Sequence, residues 1–258
     1  MIIRNMLTLS LAALWLQGAT ALAQTQVCVP QFLDGSAGPF QWRTTLVLQN
    51  QDQTQAQVRL NFYDNNGDPI HQFEMRRRGG SGPQSQVGPN GQFDPEPIRA
   101  RSAVAYQSGG QGLMQAGYVM IQSQSRIQVQ SRIQLFDETG NILSEAIVIP
   151  GQQLRRAGFY ADQTDGAGIG LALANPSGNQ TAVCTLEVIG SDGVTVLGTT
   201  QIPLAPHSQT AQLLFELFPS LLTDEVGFVR ITCSEPVCAL ALHLRGLQMA
   251  QIPVVIEE

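Results

Sequence analysis

Three oxygen-bearing side chains alternate in the stretch FYDNNGDPI, residues 62–70, where a metal ion could bind. Asp64, Asn66 and Asp68 are spaced two residues apart around Gly67, and carboxylate and amide oxygens at such spacing are ligands in calcium loops. A calcium loop also needs a bidentate acid further along, and no acid stands at that distance after Asp68. The stretch is therefore explained more simply as a chain reversal.

Two related stretches favour the reversal. YDNNG recurs as FDETG (136–140) and as IGSDG (189–193), each between two alternating apolar runs. Asp or Asn beside a left-handed glycine is the chemistry of a hairpin turn. In the last stretch Gly190 replaces Asp64 and Val194 replaces Asp68, so the carboxylates are not kept. We predict a turn, with no metal and no cofactor.

Four cysteines follow the N-terminal segment: Cys28, Cys184, Cys233 and Cys238. Pairing is expected in an oxidising compartment, and four cysteines allow three connectivities. Cys233 and Cys238 bracket SEPV, so a bridge across a four-residue hairpin turn is the simplest closure; Cys28 then pairs with Cys184, or one of them stays free. The competing choice is a Cys184–Cys233 bridge between sheets, as in immunoglobulin domains.

Catalytic patterns are not found in the sequence. His71, His207 and His243 lack ligand spacing, and no nucleophile elbow, phosphate loop or dinucleotide fingerprint occurs. Adjacent acids such as Asp224 and Glu225 point to opposite faces of a strand. We therefore predict that the protein is not an enzyme.

Two candidate contact sites remain. Arg76, Arg77 and Arg78 could meet an anionic partner, although so short a run is also typical of a solvated loop. Trp42, with Phe40 close by, could stack on a sugar ring if exposed, or pack in a core or hinge if buried.

The hydrophobic period of the chain is two. In QVRLNFYD, Val58, Leu60 and Phe62 share one face, and RIQVQSRIQLF alternates in the same way. Such runs, separated by Gly, Pro, Asn and Asp, indicate half-buried strands of antiparallel sheets. A helical pattern occurs once, in QTAQLLFELFPSLL, where Pro219 limits any helix to one or two turns.

An internal repeat divides the chain. Residues 45–70 align with 170–196, matching Asn50 to Asn175, and residues 116–130 align with 226–240. We predict two tandem immunoglobulin-like antiparallel β-sandwich domains, residues 24–151 and 152–258; a single larger barrel is the alternative. The insertion 76–99, rich in Gly, Pro, Ser and Gln, is predicted to be a mobile loop.

The N-terminus is typical of a cleaved signal peptide, residues 1–23. Arg4 precedes an apolar run, and Ala21-Leu22-Ala23 offers small residues at a cleavage site. The run is too short to span a bilayer, so we expect a mature protein without a membrane span, secreted or periplasmic. Without Arg4, 13 basic and 20 acidic residues remain, a net charge of −7, which disfavours nucleic acid as a partner.

The opening PQFLDG, the LxLxN strand, the DxxG turn and FELFP before GFVRI resemble a repeat of uncharacterised secreted proteins of soil bacteria. This resemblance implies an extracellular, tandem immunoglobulin-like module with no catalytic residues to transfer. The expected function is adhesion, surface assembly or binding of a protein or ligand. The alternative is a carbohydrate-binding module whose partner is a glycan, and a secreted hydrolase is the third hypothesis.

Overall fold

The computed structural model describes residues 25–79, 85–220 and 226–257, so the predicted signal peptide lies outside the described residues. The described chain is all-β with antiparallel strand pairs, as the period of two predicts. One α-helical turn, α1 (Leu214–Leu217), ends before Pro219, and a 3₁₀ turn covers Thr164–Gly166. The strands are β1 (Thr25–Ala37), β2 (Phe40–Asn50), β3 (Val58–Asp64), β4 (Glu74–Arg77), β5 (Ser85–Gln86), β6 (Gln92–Phe93), β7 (Ala103–Ser108), β8 (Gln115–Ser123), β9 (Ile127–Phe136), β10 (Ile142–Val148), β11 (Leu154–Asp162), β12 (Gly168–Ala174), β13 (Ala182–Gly190), β14 (Val196–Leu204), β15 (Gln209–Leu213), β16 (Val226–Arg245), β17 (Gln248–Ile252) and β18 (Val255–Ile256).

Strands β1–β10 form the N-terminal half of the fold. Sheet A has the order β6-β3-β8-β1, and sheet B has the order β5-β4-β7-β2-β9-β10. Strand β1 serves both sheets, because residues 25–34 pair with β8 while residues 35–37 pair with β2. The two sheets are therefore joined at one corner by a strand that changes sheet.

Strands β11–β18 form the C-terminal half in the same manner. Sheet C has the order β14-β13-β16-β11-β18, and sheet D has the order β15-β12-β16-β17. The long strand β16 pairs with β11 and β13 up to Val237 and with β12 from Cys238 onward. It carries the chain from one sheet into the other.

Each half encloses a separate apolar core between its two sheets. In the N-terminal half, Phe32 of sheet A, Phe62 and Phe73 pack edge-to-face or tilted, with ring centroids 4.9–5.1 Å apart. In the C-terminal half, Phe159 of sheet C and Leu171 of sheet D belong to one buried cluster. Each half is therefore a sandwich-like pair of sheets around its own core. Full burial of each such side chain contributes about 1.5–3 kcal/mol to the free energy of folding.

Asn50 and Asn175 occupy corresponding places in the two halves. The Asn50 amide nitrogen donates to the carbonyls of Thr54 (2.7 Å), Ile98 (3.1 Å) and Arg99 (3.1 Å). The Asn175 amide nitrogen likewise donates to three carbonyls, at 2.7, 3.0 and 3.1 Å; they belong to Gln180, Leu204 and Ala205. Both side chains are fully buried, so each closes the loop that follows its strand.

The described residues of the insertion 76–99, whose composition predicts a mobile loop, include short strands and buried side chains. Within its described residues, β5 pairs with β4 and β6 pairs with β3, while Val87, Phe93 and Ile98 are each at most 4% exposed. Its Gly and Pro content marks tight turns instead. Composition alone does not reveal that three apolar side chains of this segment belong to the core of the N-terminal half.

The hairpin bridge Cys233–Cys238 was a wrong prediction. SEPV is not a hairpin turn, because both cysteines lie within the single strand β16, and each is bonded to a different cysteine. The bridges are Cys184–Cys233 and Cys28–Cys238, with Cα atoms 4.0 and 6.2 Å apart. The first joins directly paired residues of neighbouring strands in sheet C, rather than two sheets.

An apolar cleft as candidate functional site

The two halves meet through faces that would otherwise be exposed to water. Beyond the core of its own half, the inner face of sheet B continues to Ile133 on β9. There it packs with Val148 against Ala172 and Leu240, which lie on the outer face of sheet D. The outer face of sheet D is therefore buried in part by the N-terminal half.

The remainder of this junction forms an apolar cleft of about 230 Å³. Both halves contribute to its walls, and most of its exposed lining is aliphatic. The cleft is lined by Gln31, Leu33, Trp42, Ile133, Gly170, Leu171, Ala172, Ala211, Gln212, Leu213, Glu216, Leu240, Leu242, Leu244 and Met249. The Glu216 side chain at the rim stabilises the start of α1, since its Oε2 accepts a hydrogen bond from the Leu213 N–H (2.8 Å).

Strand pairing explains why a cleft exists at this place. On the outer face of sheet D, the small residues Gly168 and Gly170 of β12 lie directly beside Leu244 and Leu242 of β16. A Cβ on Gly170 would sit 3.5 Å from a Leu244 methyl group, an ordinary contact distance. The glycines thus leave room next to a row of leucines.

Trp42 stands in the wall of the cleft that the N-terminal half provides. It lies on β2 opposite Leu135 of β9, is partly buried and contacts the junction cluster. Trp42 is the only tryptophan beyond the N-terminal segment. The Trp42 side chain is partly buried, and it forms part of the wall of the concave cleft.

The stretch Asp64–Asp68 forms the predicted turn. The Gly67 N–H donates to the Asp64 carbonyl (3.2 Å), and the N–H groups of Asn66 and Asp68 donate to Asp64 Oδ1 (2.8 and 2.9 Å). Gly67 has φ +92°. The Asp64 oxygen that a cation would need thus accepts two backbone hydrogen bonds. Within residues 25–79, 85–220 and 226–257, no group of three or more His, Cys, Asp or Glu could hold a metal ion.

The other two turns are also stabilised by hydrogen bonds from nearby residues to an aspartate carboxylate. Asp137 accepts from the hydroxyl and N–H of Thr139 and from Asn141, and Asp192 accepts from Thr195 and Val194. These bonds, foremost those from the threonine hydroxyls, lower the pKa of both carboxyl groups to about 2. In the third turn the accepting carboxylate belongs to Asp192, which lies two residues after Gly190, the position that aligns with Asp64.

The turn at 64–68 also contacts the C-terminal half. Tyr63 stacks on His207, and the Gln209 N–H donates to the Asn65 carbonyl (3.3 Å). The buried Tyr118 hydroxyl donates to the Asn175 carbonyl (3.3 Å) and lies 3.4 Å from His207 Nδ1. Burial raises the pKa of Tyr118 and lowers that of His207. The Cys28–Cys238 bridge belongs to the same cluster, so this junction is covalent as well as packed.

The three arginines are exposed on and just after β4, away from the cleft. Arg77 Nη1 lies 3.2 Å from Glu96 Oε2, and a cavity of about 700 Å³ beside it is lined by Arg78, Asp94 and Glu96 among others. Acidic groups thus lie beside the arginines. This mixture of charges does not favour an anionic partner.

The cleft residues Gly170, Leu242, Leu244 and Met249 belong to no functional motif of the sequence. A signal for three of them was present in GIGLALA and CALALHL, because one face of the first strand holds only Gly and Ala while the same face of the second holds Cys238 and three leucines. A half-exposed sheet carries polar residues on its outer face, so this pattern marks a covered outer face.

No family model, curated protein or solved structure matches the chain. Among the described residues, no helix has the length and apolar character needed to cross a membrane.

Proposed function

We propose that the chain is a secreted, non-enzymatic protein of adhesion or surface assembly, built from two immunoglobulin-like sandwiches in tandem. In this proposal the cleft between the halves binds an apolar segment of a protein partner. The two disulfides support a location outside the reducing cytosol. The duplication of one sandwich is supported by the matching hydrogen bonds of Asn50 and Asn175.

The observation that carries the proposal is the half-buried Trp42 in a cleft whose other walls are mostly apolar side chains. Protein interfaces take most of their binding energy from a few large apolar anchors seated in desolvated pockets. Small-molecule pockets usually measure about 300–1,000 Å³. A cleft of about 230 Å³ suits one or two side chains of a partner better than a drug-sized ligand.

The junction also favours a preformed site. Tyr63 on His207, the Gln209–Asn65 hydrogen bond and the Cys28–Cys238 bridge fix one half against the other. A site that is rigid before binding loses less entropy when the partner docks.

Site-directed photocrosslinking tests the proposal. We would place p-benzoylphenylalanine at Met249 in the cleft and, as a control, at exposed Gln124 between β8 and β9. We expect a protein from the producing cell's envelope or medium to crosslink at Met249 and not at Gln124. The captured protein, once purified, should shift the fluorescence of Trp42.

Two substitutions at one position give the matched comparison. Gly170→Leu fills the cleft, whereas Gly170→Ala adds one methyl group at ordinary contact distance. Partner binding should be lost in the first variant and kept in the second. Equal crosslinking at both probe positions, or full binding by folded Gly170→Leu, contradicts the proposal.

A further inference from the structure

The outer face of sheet C carries a second arrangement that the cleft does not explain. Across the strands β11, β16, β13 and β14, paired residues stand in register as three rows. An aromatic and aliphatic row is followed by a charged row and then by a polar row. The rows are Tyr160, Phe228, Ile189 and Val196; then Gly158, Arg230, Glu187 and Thr199; then Arg156, Thr232, Thr185 and Gln201.

Gly158 shapes the aromatic row. Phe228 reaches diagonally across to it, and a Cβ at this position would collide with the Phe228 ring. The ring therefore lies down on the backbone of β11. Tyr160, directly opposite Phe228, is 57% exposed, so an open tyrosine ring stands beside a ring laid on the sheet.

The charged row is internally balanced. Arg230 lies between Glu187 and Glu257, with nitrogen–oxygen distances of 3.7 and 3.5 Å. With Arg156 included, these four residues carry no net charge, so the face has no excess charge to attract phosphate or another polyanion.

Apart from Arg156, the polar row supplies neutral hydrogen-bonding groups. Gln201 Nε2 donates to Thr185 Oγ1 at 3.3 Å, and Thr232 stands exposed next to them. Hydroxyl and amide groups both donate and accept, which matches a ligand that is itself rich in hydroxyl groups.

We propose that this face binds a neutral glycan, which stacks a sugar ring on Tyr160 and Phe228 and hydrogen-bonds to the Arg230–Glu187 and Thr185–Gln201 rows. A sugar ring has an apolar C–H face and a polar rim, which is the division that the rows present. The core of a protein interface is depleted of charged residues, whereas here an ion pair occupies the middle row. Three rows span about 14 Å along the strands, the size of a short oligosaccharide.

The glycan site is separate from the cleft, so the two proposals are tested independently. The probes are a glycan array and native affinity electrophoresis in gels containing xylan, laminarin, dextran or hydroxyethylcellulose. We expect at least one array glycan or polysaccharide to bind. The loss of one stacking ring in Tyr160→Ala or Phe228→Leu should weaken binding about tenfold.

Matched variants separate stacking from folding. Tyr160→Phe keeps the ring and should bind within about threefold of wild type, since about 0.65 kcal/mol corresponds to that factor. Gly170→Leu, in the cleft, should leave glycan binding unchanged. The proposal is overturned if no glycan on the array and none of the four polysaccharides binds, or if Tyr160→Ala binds as tightly as wild type while remaining folded by circular dichroism.

Discussion

The Tyr63 ring lies parallel to the imidazole of His207, with ring centroids 4.4 Å apart and an interplanar angle of 1°. The two residues belong to different halves of the fold, and the Tyr118 hydroxyl lies 3.4 Å from His207 Nδ1. Protonation of His207 would gain a cation–π attraction to Tyr63 but would place a charge in a partly desolvated junction. The pKa of His207 is lowered by burial, so desolvation outweighs the attraction.

The first prediction concerns pH. Because the folded-state pKa of His207 lies below its unfolded value, the unfolded chain binds this proton more readily. The stability contribution of neutral His207 is therefore present above about pH 6.5 and is lost as the pH falls through the folded-state pKa. Urea unfolding at pH 7.5 and pH 5 should show a smaller free-energy difference in His207→Asn than in wild type. Asn is chosen because residue 207 has φ +57° and Asn tolerates that region. An identical pH dependence in both proteins would assign the effect to other groups.

The second prediction concerns the two buried asparagines. Asn50→Ala removes an amide whose two N–H donors are shared among the carbonyls of Thr54, Ile98 and Arg99 and whose Oδ1 accepts from the Asp52 N–H, which makes three hydrogen bonds in all. At about 1 kcal/mol per bond, the free energy of unfolding should fall by about 3 kcal/mol, and Asn175→Ala should cost a similar amount. Exposed Gln49→Ala is the control and should stay within about 0.5 kcal/mol of wild type. A small effect of both asparagine substitutions would show that water replaces the amide.

The third prediction concerns disulfide connectivity. The chain has no lysine, so trypsin cuts only after arginine and leaves Cys233 and Cys238 together in the peptide 231–245. The two observed bridges should link that peptide to those carrying Cys28 and Cys184, giving one three-peptide product by mass spectrometry. A hairpin bridge would instead leave 231–245 unlinked.

The fourth prediction concerns the same bridges energetically. Replacing Cys28 and Cys238 together by Ala should lower the free energy of unfolding by about 2–4 kcal/mol, because the bridge closes a long loop in the unfolded chain. The measurement is urea unfolding under non-reducing conditions. Dithiothreitol should have less further effect on this variant than on wild type, since only Cys184–Cys233 remains. If the variant is as stable as wild type, packing at the junction holds the two halves together without the bridge.

The fifth prediction tests the insertion. Phe93 is 4% exposed, and its ring centroid lies 5.3 Å from that of Tyr106. Phe93→Ala should lower the free energy of unfolding by about 3–5 kcal/mol, the range for large-to-small core substitutions. Gln86→Ala in the exposed strand β5 is the matched control. If both variants unfold at the same urea concentration, the segment 85–99 is not part of the core.

The sequence predicted the features that depend on neighbouring residues. The alternation of Val58, Leu60 and Phe62 determined a strand with one buried face, since side chains alternate between faces whatever the partner strand is. Asp64 and Gly67 determined a turn, because the required hydrogen bonds and left-handed φ are local. The match of Asn50 to Asn175 also followed from local patterns before and after each asparagine.

Tertiary structure alone decided which distant residues meet. Cys233 and Cys238 are close in sequence but lie in one extended strand, so each bonds to a cysteine brought near by strand pairing or by packing of the halves. Trp42 lines a cleft because β2 extends past its own core and covers sheet D. Period and turn chemistry fix how each strand presents its faces, whereas the register and the change of sheet within β1 and β16 fix what each face covers.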